Sequence, residues 1–112
     1  MLKRVVIVAA ALVLAGCVTD REANGLSESA AKGRAFAQDN CASCHALEDG
    51  VSPNPDAPSL EVASHRLPAW VVAGSFERGI QVGHTTQMPV FVFEDGDITN
   101  LLAYLDALRT GK

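Results

Sequence analysis

Apolar and polar residues alternate with a helical period in three separate stretches of this chain. In the first, Ala30, Gly33, Ala37 and Cys41 recur three or four residues apart, with Phe36 beside them, which predicts a helix ending near Asn40. Ser27 or Ser29 can cap its start, and Glu28 suits the first turn. The second begins near Leu67, with Pro68 in a first-turn position, and stops at Gly79, a natural residue just past a helix end. In the third, Ile98, Leu101, Leu102, Leu105 and Leu108 form one stripe. Asp95 or Asp97 is the expected cap of this last helix, Arg109 suits the negative end of its dipole, and Gly111 lies just beyond.

The intervening sequence is rich in turn formers. The stretch "DGVSPNPDAPS" (residues 49–59) carries three prolines and cannot be regular structure, and "QVGHTTQMP" (residues 81–89) reads as a loop. "PVFVF" is too brief an apolar run to separate a short strand from a buried loop. Short helices joined by loops of this length leave a small domain short of core, unless a bound group fills it.

A different pattern opens the chain. Lys3 and Arg4 precede an unbroken apolar run over residues 5–14, followed by Ala15, Gly16 and Cys17. That is the layout of a secretory signal peptide, and the run is short for a membrane span, which needs roughly 20 apolar residues. "LAGC" (residues 14–17) resembles a bacterial lipobox, which implies cleavage before Cys17 and acylation of its thiol. The chain has three cysteines, so if Cys41 and Cys44 act as a pair, lipidation accounts for the third. The expected organisation is a lipoprotein signal peptide over residues 1–16, a flexible polar tether over 17–27 and one folded domain over 28–112. Several acyl chains on Cys17 would hold such a protein to a bilayer. Val18 stands where an inner-membrane retention signal would often place Asp, which tilts the expectation to the outer membrane. From Cys17 onward seven basic residues face thirteen acidic ones, net −6. An acidic domain of this kind is a poor nucleic-acid binder.

The chemistry concentrates in "DNCASCHAL" (residues 39–47). Cys-x-x-Cys-His is the attachment signature of c-type haem. Cys41 and Cys44, three residues apart, can both face a porphyrin edge and form thioethers with its vinyl groups, while His45 can reach the iron from one side. A structural zinc site would need a second ligand pair, and His65 and His84, nineteen residues apart, do not make one. A thioredoxin-like dithiol would want a βαβ pattern around it, which is not visible, and a structural disulfide would leave His45 unexplained. After the leader is removed Met88 is the only methionine. It lies in a loop beside Pro89 and is the candidate distal ligand; His84, four residues earlier, is its rival. His65 reads as a surface histidine.

With these residues in order, the chain resembles the class I c-type cytochromes from about Glu28 to Arg109. "KGRAFAQDN", "CASCH", "APSL", "MP" and "LLAYL" follow one another as that family's pattern does. The resemblance implies an all-α fold of three to five short helices and long loops wrapped around one covalent haem c. It implies that Pro58, or a carbonyl close to it, accepts a hydrogen bond from His45 Nδ1–H. It also implies that the first and last helices cross where Gly33, Phe36, Leu101 and Tyr104 meet, and more loosely that Trp70 lies near a haem propionate. The function expected is that of a periplasmic, membrane-tethered one-electron carrier rather than an enzyme. It would be a monomer with His45/Met88 ligation, meeting redox partner proteins at the membrane. Two alternatives stand beside it: a haem subunit of a larger oxidase or dehydrogenase, and a ligand- or peroxide-binding sensor from which Met88 detaches.

Overall fold

The computed structural model describes residues 25–80 and 87–111. The leader, Cys17, most of the tether and His84 lie outside the described residues. Four helices follow one another: α1 (Glu28–Asn40), α2 (Leu60–Arg66), α3 (Ala69–Glu77) and α4 (Asp97–Thr110). There is no strand among the described residues, so the fold is all-α, as expected. No helix among them is long and apolar enough to cross a membrane.

α1 starts as its sequence asks. Ser27 Oγ accepts the Ala30 N–H at 3.1 Å, and Glu28 pairs with Lys32 one turn on at 3.1 Å. Its buried residues are Ala30, Gly33 and Ala37, a face of small side chains. That face lies against α4. A Cβ on Gly33 would collide with the Asn100 carbonyl and come within 2.9 Å of Tyr104 Cβ, so only glycine lets the two backbones approach this closely. Ser29 Oγ, one turn earlier, donates to Asn100 Oδ1 at 2.8 Å across the same seam. The core around the crossing is Ala30, Ala37, Leu47, Leu101 and Tyr104.

Two expectations need correction. Residues 60–66, assigned to no helix from the sequence, form α2. Ser59 Oγ caps it through the Val62 N–H at 3.1 Å, and Pro68 prevents its continuation. Seven residues are too few for a stripe to show in sequence. α4 is not capped by Asp95 or Asp97: the residue before it is Gly96, left-handed at φ 90, with no side-chain cap. Asp97 is the first helical residue, and its Oδ2 accepts the Glu94 N–H at 2.9 Å, closing the turn that feeds the helix.

Arg109 lies in the last turn of α4, as expected, and serves a second helix end as well. Its guanidinium donates to the carbonyls of Ser64 at 2.9 Å and Leu67 at 3.3 Å. These are carbonyls at the C-terminus of α2, so α4 pins the α2–α3 corner.

"PVFVF" is an irregular extended segment. Phe91 and Phe93 turn inward while Val90 and Val92 face solvent, as in a strand, but the partner is a single hydrogen bond from Phe91 N–H to the Gly79 carbonyl at 3.2 Å. Gly79 has φ 75, and a Cβ there would lie 2.9 Å from Val90, so glycine is required twice over.

Candidate functional site: the Cys41–His45 turn and the Met88 segment

α1 runs directly into the cysteine pair. The Cys41 N–H donates to the Ala37 carbonyl at 2.8 Å as the helix cap, and the Cys44 and His45 N–H groups both donate to the Cys41 carbonyl, at 3.1 and 2.9 Å. The motif is thus one further turn wound on the end of a rigid helix, with Cys41 half-buried and Cys44 exposed. The two thiols are not bridged to one another. Burial pushes the Cys41 thiol up, with a smaller push from Cys44.

The proline-rich loop is not slack. Its N–H groups and those that open α2 reach back onto the motif: Asn54 to the Cys44 carbonyl at 3.1 Å, Leu60 to that of Ala46 at 2.8 Å, Glu61 to that of Leu47 at 3.2 Å. Ser52 Oγ takes the Ala46 N–H at 3.0 Å. Wrapped in this way, the loop brings the Pro58 carbonyl to 2.6 Å from His45 Nδ1. A carbonyl can only accept, so Nδ1 carries the proton and Nε2 keeps its lone pair. A histidine held in this tautomer is prepared to bind a metal through Nε2.

The same loop connects the motif to Met88. Asn54, which holds the Cys44 carbonyl, has its side-chain amide 3.5 Å from Gln87 Oε1. Met88 follows Gln87 and is half-buried. Beyond it Phe93 packs on Phe36 of α1 and Phe76 of α3, centroids 5.6 Å apart in both pairs, and on Phe91 at 6.1 Å. These rings join the two helices beside the motif, and Cys41 packs against the same core. Of the residues singled out from sequence, Cys41, Cys44, His45, Pro58 and the segment bearing Met88 come together. His65 does not: it is exposed on α2, its Nδ1 donating to the Glu61 carbonyl at 2.8 Å. Trp70 lies on the outer side of α3, 77% exposed, over a groove formed with Val72, Leu102, Leu105 and Arg109.

Sequence reasoning missed an ionic knot beneath the motif. Glu48 accepts from Arg34 Nε at 2.8 Å and Nη2 at 3.3 Å, and from the Tyr104 hydroxyl at 2.6 Å. Desolvation pushes the Glu48 carboxyl up, but the hydrogen bonds from Arg34 and Tyr104 outweigh it, leaving the carboxyl below its ordinary range. Burial, and then the bond to Glu48, push the Tyr104 hydroxyl well up, so it stays protonated and donating. Three residues after His45, Glu48 ties the motif to both crossing helices. The only hint in the sequence was an acid close to the motif, which has no visible periodicity with Arg34 or Tyr104.

The donor set fits a covalently held haem: two unbridged thiols on one helical turn, an imidazole with Nε2 free, and aromatic rings beside them. Among the described residues no cluster of three or more His, Cys, Asp or Glu side chains is placed to bind a metal by itself. No curated protein and no solved structure matches the chain. Residues 28–105 match the sequence model of the family described as cytochrome c oxidase, cbb3-type, subunit III, a match that spans all of α1, α2 and α3 and most of α4. The chain therefore belongs to that family, and is a class I c-type cytochrome whose domain binds covalent, iron-containing haem c.

Proposed function

We propose that this domain is a one-electron carrier with His45 and Met88 as axial ligands, tethered outside the cytoplasm through lipid on Cys17. The hydrogen bond from His45 Nδ1 to the Pro58 carbonyl is the observation that carries the reading. It leaves Nε2 as the only ring nitrogen able to coordinate, on the same turn as two thiols suited to thioether bonds. When bound, haem c supplies a single-electron couple at its iron. Cys41 and Cys44 would fix it covalently, and His45 would bind the iron through Nε2 in the tautomer set by Pro58. Met88, on the segment where Gln87 meets Asn54, would be the second iron ligand, and His/Met ligation would raise the potential. Phe36, Phe76 and Phe93 keep water from the ring. With both axial positions taken, the residues favour electron transfer over substrate binding. An anchor on Cys17 would raise the effective concentration of membrane partners without tight docking.

Met88→Ala tests the ligand assignment. The Met–iron charge-transfer band of the oxidised holoprotein should vanish and the midpoint potential should fall. An unchanged band would transfer the role to His84. Cys17→Ser should release the protein from the membrane fraction; continued association would remove the lipid from the reading. The match to an oxidase-subunit family favours a second reading, a fixed haem subunit of an oxidase. A stoichiometric complex surviving detergent extraction would support it over a mobile shuttle.

A further inference from the structure

Asn54 stands between Pro53 and Pro55. Each ring fixes its own φ, and Pro55 also disfavours helical backbone at the residue before it, so this part of the loop is stiff before any tertiary contact forms. The fold then uses three of the four hydrogen-bonding groups of Asn54 to hold it in place. Its N–H donates to the Cys44 carbonyl at 3.1 Å, and its own carbonyl accepts the Ala57 N–H at 3.0 Å. Its Oδ1 accepts the Asp56 N–H at 3.0 Å. An N–H needs an oxygen to accept it, so the remaining side-chain atom is the amide donor Nδ2. That atom faces Gln87 Oε1 at 3.5 Å.

One residue thus touches both ends of the candidate ligand pair. Cys44 directly precedes His45, and Gln87 directly precedes Met88. On its other side the Met88 segment is fastened by the Phe91 N–H on the Gly79 carbonyl at 3.2 Å, and by Phe93 packed on Phe76 of α3. Met88 lies between these fastenings and is half-buried, in a stretch where Pro89 has no N–H to give. The contact with Gln87 is long and exposed, so it biases the position of the segment and does not lock it.

We infer that Asn54 is a positioning residue that keeps Met88 at the iron, by tying the Met88 segment to the turn that carries His45. The inference rests on Met88 being the second iron ligand and adds what holds it there. A Met88 segment released from Asn54 spends more time away from the iron. Added imidazole then binds more tightly, because apparent affinity scales with the fraction of protein in the open state. In this exchange the iron–sulfur bond breaks and a bond to an imidazole nitrogen forms. Each ligand brings its own lone pair, so nothing is oxidised or reduced.

The test is imidazole titration of the oxidised full-length holoprotein, followed by loss of the Met–iron charge-transfer band. Wild type, Asn54→Asp, Gln87→Glu and the double variant are compared. Asn54→Asp keeps an oxygen for the Asp56 N–H and accepts from the Gln87 amide once that amide turns over. Gln87→Glu still accepts from Asn54 Nδ2. The double variant sets two carboxylates against each other with no donor between them. Each single change should leave imidazole affinity within about twofold of the wild type, and the double variant should bind it about threefold or more tighter than the product of the single effects. Comparison with that product cancels what each side chain does through its other contacts. Affinities that follow the product, whatever happens to the denaturant midpoint, would show the contact to be structural only and overturn the inference. A wild type without the band would overturn the Met88 assignment and the inference with it; a band without coupling would overturn the inference alone.

Discussion

The α1–α4 crossing and the wall formed by α3 with residues 87–93 are finished in different ways. At the crossing, small residues let the backbones touch, and every buried polar side chain described there has a partner. Tyr104 and Arg34 converge on Glu48, and Ser29 meets Asn100. At the wall, an enclosed hydroxyl has no partner, Ile80 is strained, and Val90 and Val92 are 67% and 93% exposed. The first region is complete in itself. The second keeps an unpartnered hydroxyl, on Ser75, and a strained backbone beside the segment bearing Met88. Substitutions at the crossing should therefore act on stability and leave the midpoint potential alone, whereas Met88→Ala acts chiefly on the potential.

The sharpest attempt to break that division is Gly33→Ala. Its methyl would meet the Asn100 carbonyl and force the helices apart, so the holoprotein should lose about 3 kcal/mol or more in denaturant unfolding. A potential shifted as far as by Met88→Ala would show that the two regions are not separable. Next is Tyr104→Phe, which removes one donor from Glu48 while leaving Arg34 in place. A loss of about 1–2 kcal/mol is expected, with the spectrum unchanged.

Acid titration reports on the same knot. Glu48 has its folded carboxyl below its unfolded value, so its contribution is fully present above the unfolded pKa of about 4.3 and is lost as pH falls through the lower, folded value. Because its side chain is 38% exposed, solvent screening keeps the effect modest. Glu48→Gln should accordingly make stability less dependent on pH below about 4.5 than it is in the wild type, as read by denaturant midpoints across that range. The smallest effect belongs to Arg109→Gln. It weakens the clamp on the Ser64 and Leu67 carbonyls and should lower stability by about 1 kcal/mol, with the α2–α3 corner exchanging its amide hydrogens faster.

Read alone, the sequence determined those features whose cause is local. Two of the helices follow from a 3.6-residue stripe, and α3 from a proline at its start and a glycine past its end. The haem motif follows from a spacing of three residues and an adjacent histidine. α2 escaped because two turns are too short for a period to register, although Ser59 and Pro68 mark both of its ends. Only the tertiary structure could decide the contacts made across the chain, because no periodicity links their members. Pro58 was expected from resemblance alone; the geometry that brings its carbonyl to His45 depends on three hydrogen bonds from the loop and the start of α2 onto residues 44–47. Glu48 finds Tyr104 fifty-six residues away, and Arg109 turns from its own helix end to another's. Ser75, one serine among several in the sequence, stands out only once burial has taken away its water and the fold has given it no partner.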